Sequence, residues 1–131
     1  MALIEEALKT LITTGPAFVT LAGLAVYPGH IPQDARLPAV AYQVVTSEPN
    51  PTHDGASKLI TRHVQFTIDA KSYADNKAVA AALRARLDGY RGTIDGCRIG
   101  ALLWENEYDS YAEASLLENI RQDYLVIYTQ V

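Results

Sequence analysis

Apolar residues near the start of the chain fall at helical intervals. Leu3, Ala7, Leu8, Leu11 and Ile12 recur every three or four positions, which gathers them on one face of a helix. Glu5 stands four residues before Lys9, a favourable pairing on a helix surface. The spacing predicts a helix over residues 2–14, ended by Gly15-Pro16. Pro16 suits the first turn of a second short helix, Ala17 to Leu21, closing near Gly23. Ala25-Val26-Tyr27 reads as a short strand, Pro28-Gly29 as a turn, and His30 to Pro38 as a loop.

The period then changes to two. In residues 39–47, AVAYQVVTS, Val40, Tyr42 and Val44 share one face. The run SEPNPTHDGAS, with Pro49, Pro51 and Gly55, reads as a long loop. Residues 58–70 give the best strand. Ile60, Val64, Phe66, Ile68 and Ala70 face one way, and His63, Gln65, Thr67 and Asp69 face the other. One side therefore belongs to a core and the other is polar. Residues 73–88 return to helical spacing, with Val79, Leu83, Leu87 and Tyr90 as the apolar stripe. Residues 97–108 read as a strand with Ile99, Ala101 and Leu103 on one face and Leu102 and Trp104 on the other. Residues 109–119 are polar and read as a loop. In the last strand, 120–130, the stretch Tyr124 to Tyr128 is apolar on both faces, as expected for a central strand or one covered at an interface. The order is helix, strand, strand, long loop, strand, helix, strand, strand. The expected fold is α+β: one domain over residues 1–131, a mostly antiparallel sheet with helices packed on one face.

Composition narrows the function. At 131 residues and 49% hydrophobic, the chain can bury a core unaided. Fifteen acidic residues against 11 basic ones give a net charge of -4, which argues against gripping DNA phosphates. A mildly anionic wall beside DNA would instead let it slide. Cys97 is the only cysteine, so no disulfide within the chain is expected. No run is long enough for a membrane span, and MALIEEALKT carries acids where a signal peptide needs positive charge. The expectation is a protein made in the cytoplasm, with no membrane partner.

Chemistry-bearing residues are sparse. His53, Asp54 and His63 could approach a metal if the loop folded back, but their spacing matches no zinc pattern. Glu105, Glu107 and Asp109 recur at period two and are expected on one strand face. Without a companion Lys, His or glycine-rich loop, they read as a charged patch facing a partner. Ser47, Ser57, Ser72, Ser110 and Ser115 lack a G-x-S-x-G context, and the glycines form no phosphate-binding pattern. No catalytic residue, cofactor or metal is expected. The eight tyrosines include Tyr124 and Tyr128 on one strand face, a residue type suited to half-wet interfaces.

The order of elements carries a resemblance over nearly the whole chain. IEEALKTLI and PAFVTLAG are followed by AVYPGHIPQDARLPAVAYQVV, in which Tyr27-Pro28 ends a strand, Pro32-Gln33 lies in the loop and Pro38 leads into Val40 and Tyr42. A loop, a strand VQFTIDA, an alanine-rich helix AVAAALRARLDGY and a last strand with YLVIY complete the pattern. This resembles the tail-completion, or tail-terminator, proteins at the head–tail junction of long-tailed bacteriophages and prophages. The resemblance implies a structural virion protein. It implies a ring, usually of six copies, that ends the tail tube, contacts the tube protein, and meets a head-side connector or stopper protein. DNA would pass through its lumen without specific binding. On that reading, Glu48, Pro49, Asn50, Pro51, Thr52, His53, Asp54 and Gly55 are expected to form a partner-docking loop. Glu105, Glu107, Asp109, Tyr124 and Tyr128 are expected at a subunit or partner interface. The alternatives are another neck protein, such as a head-side stopper, or a small enzyme or ligand-binding domain using Glu105–Asp109 or His53 and His63.

Overall fold

A computed structural model describes residues 4–23, 25–32, 34–52, 55–112 and 117–130. Three helices, α1 (Ile4–Thr13), α2 (Pro16–Ala22) and α3 (Tyr73–Leu87), accompany six strands. These are β1 (Val26–Pro28), β2 (Ala39–Thr52), β3 (Gly55–Ala70), β4 (Gly92–Ile94), β5 (Cys97–Ala112) and β6 (Leu117–Gln130). They form one sheet in the order β1-β2-β3-β6-β5-β4. Every pairing is antiparallel except the short parallel contact of β1 with β2 at the edge. This is the α+β architecture expected from the alternation of periods.

The helices form where the sequence places them. Ile4, Ala7, Leu8, Leu11 and Ile12 bury one face of α1; Leu3 lies outside the described residues. Pro16 opens α2, and Gly23, at φ 61, closes it by donating its N–H to Val19 O at 2.8 Å. That left-handed φ favours glycine. Ser72 caps α3, its Oγ accepting from Asp75 N at 3.1 Å. Val79, Leu83 and Leu87 are wholly buried, and Tyr90 packs against them from the exit turn. All three helices join one core cluster with the inward side chains of the sheet. Those include Val40 and Tyr42 of β2, Val64, Phe66 and Ile68 of β3, Ile99 and Leu102 of β5, and Ile120, Tyr124, Val126 and Tyr128 of β6. Phe66 and Tyr124 meet edge to face, with ring centroids 5.5 Å apart.

Three expectations about the strands need correction. The run at 48–55 is not a loop: β2 continues to Thr52 and β3 begins at Gly55, with Glu48 opposite Thr61, Pro49 opposite Ile60 and Thr52 opposite Gly55. The polar run after residue 108 is also strand, since Tyr111 pairs with Glu118 and Ala112 with Leu117. Both are ends of long hairpins, and turn-forming residues inside edge ladders disguised them. His53, Asp54, residues 113–116 and Gln33 lie outside the described residues.

The third correction concerns β5, which carries two register shifts, between Ile99 and Ala101 and between Trp104 and Asn106. An extra residue at each shift moves the following side chains to the other face. Ile99 and Leu102 are therefore both buried, with Trp104 packed against the same core, while Leu103 is exposed. The expected grouping of Ile99 with Ala101 and Leu103 does not form.

Candidate functional site

With the helices on one side, the other face of the sheet is open. Along β3 it carries His63, Gln65, Thr67 and Asp69, the polar set expected from the alternation. Gln65 joins three strands: it accepts from Gln43 Nε2 at 3.3 Å and donates from Nε2 to Tyr108 Oη at 3.1 Å and to Asp123 Oδ1 at 3.0 Å. Asn119 Nδ2 donates to Asp69 Oδ1 at 2.6 Å. His63 Nδ1 lies 3.0 Å from Glu105 Oε1, reaching over β6. Val45, His63, Gln65, Glu105, Asn106 and Asp123 line a shallow depression of about 350 Å³. Hydrogen bonds already occupy most of these polar groups, so the face offers contact and shape more than reactive groups.

The bulge at Glu105 separates the three acidic residues expected to share a face. Glu105 turns to the open face and His63. Glu107 and Asp109 point to the helix side, where Lys77 Nζ sits 3.0 Å from Asp109 Oδ2 and 3.9 Å from Glu107 Oε2. The hydrogen bond to Asp109 holds the Lys77 ammonium above its ordinary pKa, against a smaller opposing effect of burial. Glu107 Oε1 also accepts from the buried Gln122 Nε2 at 2.6 Å. Glu105 is thus turned to His63, while Glu107 and Asp109 share Lys77 on the other side of the sheet. Among the described residues, no group of three His, Cys, Asp or Glu side chains could hold a metal ion. Among them, no helix is long and apolar enough to cross a membrane.

Tyr124 and Tyr128, expected at an interface, lie within the subunit's own core, at 0% and 3% exposure. Burial raises the pKa of both hydroxyls. The last strand is apolar on both faces because β6 is central, between β3 and β5. Its outward Leu125 and Ile127 are half-buried beside exposed Leu103.

The tyrosines that face solvent are others. Tyr73, Tyr108 and Tyr111 are 53%, 41% and 51% exposed, and they gather at the far end of β5. Tyr73 Oη donates to Asp109 Oδ2 at 3.4 Å, Tyr108 lies on the open face, and Tyr111 follows Asp109 by two residues. Here β5 is an outer strand. β4 covers only Cys97–Ile99, and the turn after α3 covers two further groups: Gly89 N donates to Leu102 O at 2.7 Å, and Trp104 N to Asp88 Oδ1 at 3.0 Å. Past Trp104, no strand flanks β5 on that side among the described residues. In the sequence, only Tyr108 and Tyr111 of these three lie close together. Tyr73 and Lys77 reach it through α3, a long-range contact that no local pattern signals.

At the opposite end, β2 and β3 run on as a two-stranded arm. The pairing of β3 with β6 stops at Ile60–Tyr128, whereas its pairing with β2 continues to Gly55–Thr52. Of the candidate docking residues, Glu48 and Pro49 lie opposite Thr61 and Ile60 at the base of this arm, and the backbone of Asn50–Thr52 and Gly55 forms it.

The sequence matches the family described as Tail completion protein gp17 over residues 6–129. Curated proteins give no match. Among solved structures, the fold is similar to that of a chain in the virion of a native gene transfer agent particle. The TM-score is 0.75, covering 96% of this chain and 94% of the other at 17% identity. At that identity the likeness concerns the fold.

Proposed function

The chain belongs to the Tail completion protein gp17 family, a structural protein of the phage tail, and from that premise we propose that it forms a ring ending the tail tube and joining it to the head connector. The family match over residues 6–129, nearly the whole chain, is the observation that carries this reading. Two features of the subunit support it. An outer strand and a projecting arm at opposite ends of one sheet suit repeated head-to-tail contacts, which make a ring where the rotation between copies closes. The net charge of -4 suits a channel through which DNA slides. On this reading the protein works by contact: Asp109, Glu107 and Glu105 are tied to Lys77, Gln122 and His63. The run Glu48–Gly55, whose described residues lie at the base and end of the arm, is the segment we assign to docking on an adjacent ring. Binding to purified tails, compared with binding to filled heads, tests the assignment. Selective binding to tails is expected, and selective binding to heads would instead favour a head-side stopper.

A further inference from the structure

We propose that the open edge of β5 from Glu105 to Ala112 receives the arm of a second copy of this chain, residues 55–58 adding as a short strand. The pairing rests on the ring reading above and names the contact that would build it.

The arm is a two-stranded ribbon beyond the body of the sheet. Such ribbons are marginal in water unless something covers them. Its two sides differ. The β2 side carries Pro51, with Pro49 at the base of the ribbon; prolines lack N–H groups and blunt an edge against pairing. The β3 side, Gly55-Ala56-Ser57-Lys58, has no proline. Among the described residues, β6 does not pair with these four positions. β6 continues to Gln130, level with Lys58 in this register, so residues 55–57 of the ribbon reach about 10 Å past the body.

The receiving edge has what strand addition needs. Its backbone lacks a flanking strand past Trp104 among the described residues. Tyr73, Tyr108 and Tyr111 stand beside it, exposed, and such residues anchor interfaces well. Main-chain bonds then supply affinity and flanking side chains supply specificity. Charge matches as well. The segment ENEYDSYA at 105–112 has three acids and no base, while GASK at 55–58 has one base and no acid. Lys77 offsets part of the acidic charge and leaves an excess.

Arm and edge lie at opposite ends and on opposite sides of the sheet. In the strand order, β2 and β3 stand left of β6 and β5 to its right. The arm leaves at the Tyr128 end of β6, and the open edge of β5 lies toward Glu118. A subunit therefore cannot fill its own edge, and two copies cannot fill each other's by a simple two-fold. The contact is head-to-tail and leaves one arm and one edge free for the next copy.

The test is crosslinking between singly substituted chains. One carries Ser57→Cys and the other Ser110→Cys, with Asn106→Cys as a second receiving position. Cys97 is buried and stays. A short bis-maleimide should give a covalent dimer in the mixture that is absent from either chain alone, and a ladder up to ring size when one chain carries both cysteines. Rings that form without these products would overturn the pairing and leave the ring reading standing. Self-crosslinking of the Ser57→Cys chain would indicate arm-to-arm contact and overturn it. A crosslink to the tail tube protein in place of a second copy would also overturn it. Absence of any ring, free or on tails, would overturn both readings.

Discussion

Gln122 is a fully buried polar residue, with 0% exposure, on the helix side of β6. Its Nε2 donates to Ala80 O at 3.0 Å and to Glu107 Oε1 at 2.6 Å, and its Oε1 accepts from Tyr124 Oη at 2.8 Å. Gln122→Leu preserves bulk but leaves the Tyr124 hydroxyl buried without an acceptor, a cost of about 1–3 kcal/mol. Ala80 O loses less, because it lies inside α3 and faces the helix ladder. Glu107 keeps Lys77 and partial solvent contact. The expected net loss is about 2–3 kcal/mol, or about 10 °C in melting midpoint for a domain of this size. Tyr124→Phe removes the hydroxyl itself and should cost about 1 kcal/mol. The double substitution removes both ends of the bond, so its cost should fall below the sum of the single costs by about 1–2 kcal/mol. Urea unfolding at fixed protein concentration reads all four corners of the cycle. Strict additivity, or a Gln122→Leu cost under about 0.5 kcal/mol, would refute the claim that this network is satisfied and coupled.

Three further outcomes follow from the structure. Ser72→Ala removes the cap on α3 and should cost about 1 kcal/mol; Ser72→Asp should retain most of it, and equal losses in both would count against the cap. The hydroxyls of Tyr42, Tyr124 and Tyr128 are all held above their ordinary value of 10.0, in each case first by burial. The unfolded phenols then ionise before the folded ones, so this stability is whole below pH 10 and falls as pH rises past it. Melting at pH 9 and 11 should show a drop that is smaller in Tyr124→Phe, and an equal drop would refute the assignment. Deleting residues 50–56 should leave cooperative unfolding of the body intact and impair head–tail joining, and unchanged joining would exclude the arm from docking.

Much of the fold was legible because burial imposes strong periods. The helical stripe Val79, Leu83, Leu87 and the alternation Val64, Phe66, Ile68 each have one solution, and both are buried as expected. What stayed hidden depends on partners distant in sequence. The bulge at Gly100 shifts the phase of β5, so Leu102 and Ile99 meet the core together, although a strict period of two puts them on opposite faces. Pro49, Pro51 and Gly55 suggested a loop because such residues also end strands, and only the ladder to β3 shows them in an edge arm. The acidic run 105–109 was visible as a patch, but its division between His63 and Lys77 depends on a second bulge and on α3. Tyr124 and Tyr128 were legible as apolar-face residues. That their cover is the subunit's own helices follows from the layer arrangement alone.

The central claim is a ring at the end of the tail. Light scattering on the purified protein, followed by negative-stain images of the free protein and of tails that carry it, tests that claim most directly. A mass several times the 14.3 kDa of one chain, near six copies, is expected, with rings that have a central hole at the tail end that meets the head. A 14.3 kDa species in solution together with tails that show no added ring would contradict it.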